Sequence, residues 1–332
     1  MTPAPDARTL RAEVARVDFG ACMLLLEDGA LLRATVRGRL MGPRKALGNA
    51  VVVGDVAAYE SAGEGAEADG APAIVTAVEP RRNAFSRRAP GKRAIEQVVA
   101  ANLDQVVVVT SYAEPPFRAG LTDRVLCQAA FAGLPARLVL NKCDLAPGGP
   151  EGPEARGILS DYAFAGVAGH AICAHQGHGL ASLLDACRGR RSLFVGHSGV
   201  GKSTLLSAMV PGLELLQGRV NPKTGKGRHT TSAAWLLRPE PGLELVDTPG
   251  VRAFGLWGID PDRLDRLYAE IAPFCGHCRF ADCEHEAEPG CAVRQAVVEG
   301  KVSQRRYESM RKLRQELRDD DALAAGRTGG RG

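Results

Sequence analysis

The chain has 332 residues, 45% of them hydrophobic and 24% charged, and a formal net charge of +4. That length suits two or three domains, and the apolar fraction is ordinary for a globular core. No apolar run reaches the ~18 residues needed to cross a bilayer and the opening MTPAPDARTL lacks the apolar centre of a signal peptide, so a cytoplasmic location is expected, while a charge this mild does not by itself establish a nucleic-acid partner.

Residues from about 10 to 80 read as short strands. ACMLLLEDGALLRATVRG holds two apolar runs joined by Asp28-Gly29, a dipeptide suited to a tight hairpin turn. Beyond the turn, Leu32, Ala34 and Val36 alternate with Arg33, Thr35 and Arg37, which gives one buried face and one basic face. NAVVVGDVAAYE and APAIVTAV supply further strands, with the Gly/Glu/Ala-rich stretch 61–72 as a loop between them. About five short strands suit a small barrel such as an OB-fold, with another small barrel or sandwich as the alternative. RRNAFSRRAPGKR at 81–93 then carries Arg81, Arg82, Arg87, Arg88, Lys92 and Arg93 around Phe85. It reads as an RNA contact with one stacking ring, or as a solvated linker between domains.

From about 98 the rhythm changes. LDQVVVVTS, PARLVLNKCD, AICAH, RSLFVG and LELVDTPG are strands of the buried kind, with helical stretches such as 121–132 and 202–209 between them. That alternation predicts an α/β domain with a mostly parallel sheet covered on both faces. NKCD closes one of these strands. Asp144 can accept from the guanine N1–H and exocyclic amine, a pair that adenine cannot donate, and a site built this way rejects the wrong base strongly. Lys142 would lie along the base, Cys143 sits between them, and Asn141 would tie this loop to a phosphate loop. Cys173-Ala174 in AICAHQGHGL fits a second base-contact loop.

The phosphate loop is GHSGVGKST. Gly196, His197, Ser198, Gly199, Val200, Gly201, Lys202 and Ser203 match G-x-x-x-x-G-K-[ST], Thr204 follows, and a strand enters and a helix leaves as the motif requires. Glycines let backbone N–H groups turn toward phosphate oxygens. Lys202 would reach the β- and γ-phosphates of GTP, and the Ser203 hydroxyl would bind Mg²⁺. In DTPG, Asp247 can hold Mg²⁺ through water and the Gly250 N–H can meet the γ-phosphate. The polar, basic stretch NPKTGKGRHTTSAAW between the two motifs reads as a switch loop, in which Thr230 or Thr231 is the candidate second hydroxyl ligand. Val251 stands where Ras-like enzymes carry a water-orienting Gln. Slow intrinsic hydrolysis and acceleration by a partner are therefore expected. His229 is the candidate water-positioning group, with an RNA contact or a loop-shaping role as alternatives.

From about 258 the chain turns helical. Cys278, Cys283, His285 and Cys291 read C-x4-C-x-H-x5-C, a closed tetrahedral set for structural Zn²⁺, while Cys275 and His277 offer alternative sets. In a reducing compartment such clustering means metal more often than disulfide. KVSQRRYESMRKLRQEL at 301–317 is a basic helix. Val302, Met310, Leu313 and Leu317 can share one face and leave Arg305, Arg311 and Arg314 elsewhere, either for RNA or simply as the polar side of a packed helix. The tail AAGRTGGRG is expected to be disordered.

The order base-reading loop, phosphate loop, switches is a circular permutation, which is feasible where the original termini lie close together. With PRRNAFSRRAPGK, AANLDQVVVV, GRHTTS, DTPGVRAFGLW and CRFADCEHEAEPGCAV added, the chain resembles the circularly permuted GTPases, and specifically the bacterial family of ribosome small-subunit-dependent GTPases, over nearly its whole length. The resemblance implies an N-terminal OB-fold at 1–90, a permuted P-loop GTPase domain at 91–257, a helical zinc domain at 258–320 and a disordered tail at 321–332. It favours Cys278, Cys283, His285 and Cys291 as the zinc ligands. It also implies an enzyme that binds the small ribosomal subunit and its rRNA in its GTP form. That enzyme would hydrolyse GTP to GDP and phosphate under stimulation by the particle, and leave it during late maturation. A monomer is expected. The sequence departs from the family pattern at Cys173, where a Ser is usual, and at Ser232, where a third Thr is frequent. A permuted GTPase for the large subunit and an RNA-binding scaffold with weak hydrolysis are the rival readings; Asp144 disfavours an ATPase. Because the switches lead straight into the Cys-rich region, nucleotide state is expected to reorient that domain.

Overall fold

The period-two pattern before residue 80 closes into a barrel. In a computed structural model that describes residues 10–18, 20–40, 49–61, 71–91, 95–213, 233–251 and 253–328, strands β1 (Leu10–Val17), β2 (Ala21–Leu25), β3 (Leu31–Val36), β4 (Val56–Ser61) and β5 (Ala73–Val78) pair in the order β1-β2-β3-β5-β4, and β4 returns to β1. Only β3–β5 is parallel. Ala34 and Val36 point into the barrel core and Arg33 and Arg37 are exposed, as their alternation implied. The turn after β2 is closed by Ala30 N donating to the Asp28 carboxylate at 2.9 Å. This is the expected OB-fold barrel; residues 62–70 of the expected loop lie outside those described.

The basic run after the barrel is neither a linker nor a stacking platform. Its residues Ala84–Arg88 (β6) pair antiparallel with Glu96–Ala101 (β7), so a division at 90/91 falls inside a hairpin. Phe85 is fully buried, with its ring centroid 5.7 Å from that of Phe254, and cannot stack on an RNA base. Several arginines of the run hold carboxylates: Arg81 pairs with Asp55 at 2.7 Å, Arg82 with Asp104 at 2.9 Å and Arg88 with Asp320 at 2.8 Å. Lys92 and Arg93 lie outside the described residues.

The α/β rhythm becomes β8 (Gln105–Ser111), α1 (Ala119–Phe131), β9 (Ala136–Asn141), α2 (Pro153–Ala163), β10 (Ala168–Ala171), α3 (Leu180–Cys187), β11 (Arg190–Gly196), α4 (Lys202–Met209), β12 (Trp235–Glu240) and β13 (Leu243–Asp247). The sheet order is β10-β9-β8-β11-β13-β12, parallel except for β12. The valines of β8 show why the runs are continuously apolar. Val106 and Val108 enter the core that holds α1 and α2, while Val107 and Val109 enter the one that holds α3 and α4. Trp235, expected at the end of a switch loop, instead opens β12.

Strand β12 meets the barrel at the pair Arg16–Trp235, with the Arg16 guanidinium 4.7 Å from the indole centroid. Arg191 on β11 is 7% exposed and ties three parts together. It donates to Glu13 of β1 at 2.6 Å, to Glu244 of β13 at 2.7 Å and to the Gly54 carbonyl at 3.2 Å.

Beyond 258 come 3-10 turns at Pro261–Leu267 and Ala272–Phe274, then α5 (Ala292–Val298) and α6 (Gln304–Thr328). Leu264, Tyr268, Ile271, Val293, Met310 and Leu313 belong to the same apolar cluster as Val106 and Val125. Arg306 of α6 is buried between the rings of Tyr162 and Tyr268, 4.9 and 4.5 Å from their centroids. It donates to Asp123 of α1 and, at 2.6 Å, to Glu270. A shared core and a buried ion cluster oppose the swinging of this region that permutation suggested. The arginines of the basic helix also have partners: Arg305 with Asp161 at 2.9 Å, Arg311 with Glu286 at 3.3 Å, and buried Arg314 with Asp265 at 3.1 Å. Helix α6 continues into the stretch 321–332 expected to be disordered, where Ala322, Leu323, Ala324 and Ala325 favour helix; residues 329–332 lie outside those described. Among the described residues, no helix is long and apolar enough to cross a membrane.

Candidate nucleotide site and metal centre

The strand registers bring the motifs to one edge of the sheet. Asn141 pairs with Ser111, Val109 with Gly196 and Phe194 with Asp247, so β9, β11 and β13 end together, where open α/β sheets bind ligands. Asn141 is 2% exposed. Its Nδ2 donates to the Val200 carbonyl at 2.9 Å and its Oδ1 accepts from Ala174 N at 3.3 Å. It thus ties the base loop to the phosphate loop, as expected, and also to the second base loop, which the tetrapeptide did not reveal. Gly201 must be glycine for two reasons. Its φ is +84°, and a Cβ there would stand 2.6 Å from Asn141 Nδ2.

Within NKCD, Lys142 is left-handed (φ 57°) and its Nζ donates to the Glu114 carbonyl. Cys143 is buried; its thiol donates to the Leu140 carbonyl at 2.9 Å, so its side chain turns inward. Asp144 is exposed at the loop surface. Cys173 is 1% exposed, and burial together with the neighbouring Asp144 charge raises its thiol pKa. Ala174 is buried beside it.

In the phosphate loop, Gly196 passes so near β8 that a Cβ would lie 2.5 Å from the Val109 carbonyl. His197 Nδ1 is 2.6 Å from the Ser198 carbonyl, Gly199 is left-handed (φ 89°) and Val200 is buried. Lys202, Ser203 and Thr204 open α4. Lys202 is 6% exposed, and its Nζ donates to Asp247 at the end of β13. DTPG lies along the loop: Val251 N donates to the Gly196 carbonyl at 3.0 Å, and a Cβ on Gly250 would stand 3.0 Å from Ser198 Cα. A cation, an acid and close glycine backbone therefore converge as a phosphate–Mg²⁺ pair requires. His229, Thr230 and Thr231 lie outside the described residues.

Cys278, Cys283, His285 and Cys291 bring their ligand atoms within 4.8 Å of one another. His285 Nδ1 is 3.5 Å from Cys278 Sγ and 3.4 Å from Cys291 Sγ, while its Nε2 is 3.0 Å from Asp265 Oδ2. The ring thus offers Nδ1 to the thiols and is oriented from behind by a carboxylate, the usual support of a metal-bound imidazole. Burial opposes ionisation of Asp265, but the hydrogen bond with His285 and the charge of Arg314 outweigh it and hold the carboxyl below its ordinary range. Three thiols and one imidazole fit tetrahedral Zn²⁺. Cys275 lies on the other side of the ring, 3.9 Å from Nε2, and forms a second group with Asp265; His277 joins neither group among the described residues. Glu288 accepts from the N–H groups of Glu284 at 2.7 Å and Glu286 at 2.8 Å, which ties down the loop that carries Cys283 and His285. Asp265 escaped the sequence reading because an acid twenty residues before His285 carries no spacing signal.

A model of the RsgA GTPase family matches residues 78–257. A relative from Gemmatimonas aurantiaca, named small ribosomal subunit biogenesis GTPase RsgA, is 43% identical over 90% of this chain and 94% of its own. The chain belongs to the RsgA GTPase family. A family member of the same name from Chlorobaculum tepidum is 38% identical over 91% of this chain and 96% of its own. The crystal structure of YjeQ from Thermotoga maritima aligns with a TM-score of 0.68 at 26% identity, covering 92% of this chain and 98% of that one. YloQ, described as a circularly permuted GTPase, aligns with a TM-score of 0.66 at 22% identity and covers 96% of this chain and 98% of its own, which shows the shared fold. The permuted motif order is thus shared at the level of the fold, and the enzyme class is GTPase.

Proposed function

We propose that this GTPase serves late maturation of the small ribosomal subunit. In its GTP form it binds the particle and its rRNA; the particle stimulates hydrolysis to GDP and phosphate; hydrolysis releases the enzyme. The observation that carries this reading is 43% identity, over nine tenths of the chain, to a relative named for small-subunit biogenesis.

In this reading Asp144 reads the guanine edge and Lys142 lies along the base. Asn141, Cys143, Cys173 and Ala174 shape the pocket wall. Backbone N–H groups from Gly196 to Gly201 face the phosphates, and Lys202 neutralises the β- and γ-phosphates. Ser203 and Asp247 would hold Mg²⁺, with Thr204 beside them and Thr230 or Thr231 as a further ligand; the ion, when bound, offsets phosphate charge. The Gly250 N–H meets the γ-phosphate and His229 positions the attacking water. Val251 is apolar and cannot replace a water-orienting Gln, which accounts for dependence on a partner. Zn²⁺ on Cys278, Cys283, His285 and Cys291 is structural, because protein fills all four positions. We assign RNA binding to the barrel that ends at Val78, GTP hydrolysis to the sheet domain that follows the β6–β7 hairpin, and structural zinc binding to the region from 258 onward, in a monomeric cytoplasmic enzyme.

The test is GTP turnover by the purified protein alone, with small subunits and with large subunits. Strong stimulation by small subunits only is expected. Equal stimulation by both particles, or none, would remove the link to the small subunit and leave the GTPase standing.

A further inference from the structure

A cleft of about 390 Å³ opens between the barrel and the segment after Asp247, and Thr248, Pro249 and Val251 of that segment help to line it. Val17 and Val52 of the barrel form one wall and Val98 of the hairpin another. Ala234, just before β12, and Pro249 and Phe254, just after β13, form the third. Its size falls in the range of small-molecule sites, which are mostly apolar with a few placed polar groups.

Polar atoms make up almost half of the exposed lining, and three lining residues carry a polar side chain. The Thr248 hydroxyl is already donated to the Phe194 carbonyl at 2.7 Å. That leaves Arg87 and Gln97, whose side chains meet at 3.0 Å through Arg87 Nε. Arg81, Arg82 and Arg88 of the same run each hold a carboxylate, but Arg87 makes no ion pair among the described residues; its contact is a neutral amide. It is half-buried, and burial lowers its pKa. A half-buried guanidinium with no carboxylate on it among the described residues, beside a wall of valines and Phe254, favours an anion, which it can grip with two parallel N–H donors.

We propose that this cleft binds a small amphiphilic anion, with an apolar or aromatic body between the valines and Phe254 and a carboxylate, sulfonate or phosphate on Arg87. The occupant sits between the barrel and the two chain segments that flank β12 and β13. The zinc ligands do not line the cleft, but Pro249 and Val251 do, on either side of the Gly250 proposed to meet the γ-phosphate.

The probe is 1-anilinonaphthalene-8-sulfonate, an aromatic sulfonate whose fluorescence rises in apolar surroundings, titrated into the full-length protein without ribosomal particles. Saturable binding at one site is expected. Arg87→Gln should raise Kd about tenfold or more, the scale of a lost charge-assisted contact. Arg87→Lys should recover part of it, and Ala234→Phe, which fills the cleft, should abolish it. Phe164→Ser, which removes an exposed ring elsewhere, should change nothing. Thermal unfolding of each variant checks the fold, and Arg87→Gln suffices if Ala234→Phe does not fold. Absence of saturable binding, or an unchanged Kd in folded Arg87→Gln, would overturn the proposal. None of these readouts depends on the small-subunit assignment.

Discussion

Single residues divide sharply by how local their environment is. Asp144, Lys202 and Asp247 were legible because each motif fixes its own loop: the glycines and the strand ends lie within a few positions. In the proposed base-reading role, replacing Asp144 with Asn puts a donor where the guanine N1–H needs an acceptor. GTP affinity should fall at least about a hundredfold with ATP affinity unchanged, as read by titration with fluorescent nucleotides; equal affinities in both forms would remove Asp144 from base reading. Asp265 was not legible, since only the folded chain brings it 3.0 Å from His285 Nε2. Substituting Asn for Asp265 should speed zinc loss to a chelator about 10- to 100-fold with the ligands intact. A rate equal to that of the parent protein would show that the carboxylate does not hold the ring. Arg306 is an intermediate case. It lies on the stripe Val302, Arg306, Met310, Leu313, so the helical period is compatible with its burial, but a charged residue gives no sign in sequence of a buried partner.

At the scale of elements, the continuous apolar strands were read correctly because burial on both faces leaves no polar positions to misplace. The β6–β7 hairpin was missed because a run of arginines outweighed the alternation that places Phe85 inside, and its pairing partner lies across Gly91. Strand β12 was missed for a related reason: its start adjoins a polar stretch, and its pairing with β13 is tertiary information. Helix α6 depends on Arg306 in a way that no periodicity conveys. Arg306→Ala would leave Asp123 and Glu270 buried without their counter-charge, and should cost about 3–5 kcal/mol in denaturant unfolding, the scale for breaking a buried pair. A loss under about 1 kcal/mol would mean that the cluster is dispensable and that packing on Tyr162 and Tyr268 holds the helix.

Over the whole molecule, the OB-fold, the permuted sheet and the Cys-rich end were all legible, but their mechanical relation was not. The Cys-rich region shares its core with α1 and α2, and the barrel is fixed to β11, β12 and β13 through Glu13, Arg191, Arg238 and Glu244. Small-angle scattering with GDP and with a non-hydrolysable GTP analogue should therefore give superimposable profiles for the free enzyme. A clear expansion in one state would mean that α6 leaves α1. The junction at Arg16 and Trp235 has a second consequence, for solubility. An antiparallel strand at the rim of an open sheet presents unpaired backbone groups that recruit other chains. Here β1 pairs with the first residue of β12, and farther along the strand Arg238 and Pro239 add a charge and a missing N–H donor. The opposite rim is the four-residue β10, too short to template much. The barrel thus shields the GTPase sheet from self-association, and a fragment lacking residues 1–80 would expose β12 to other copies of itself.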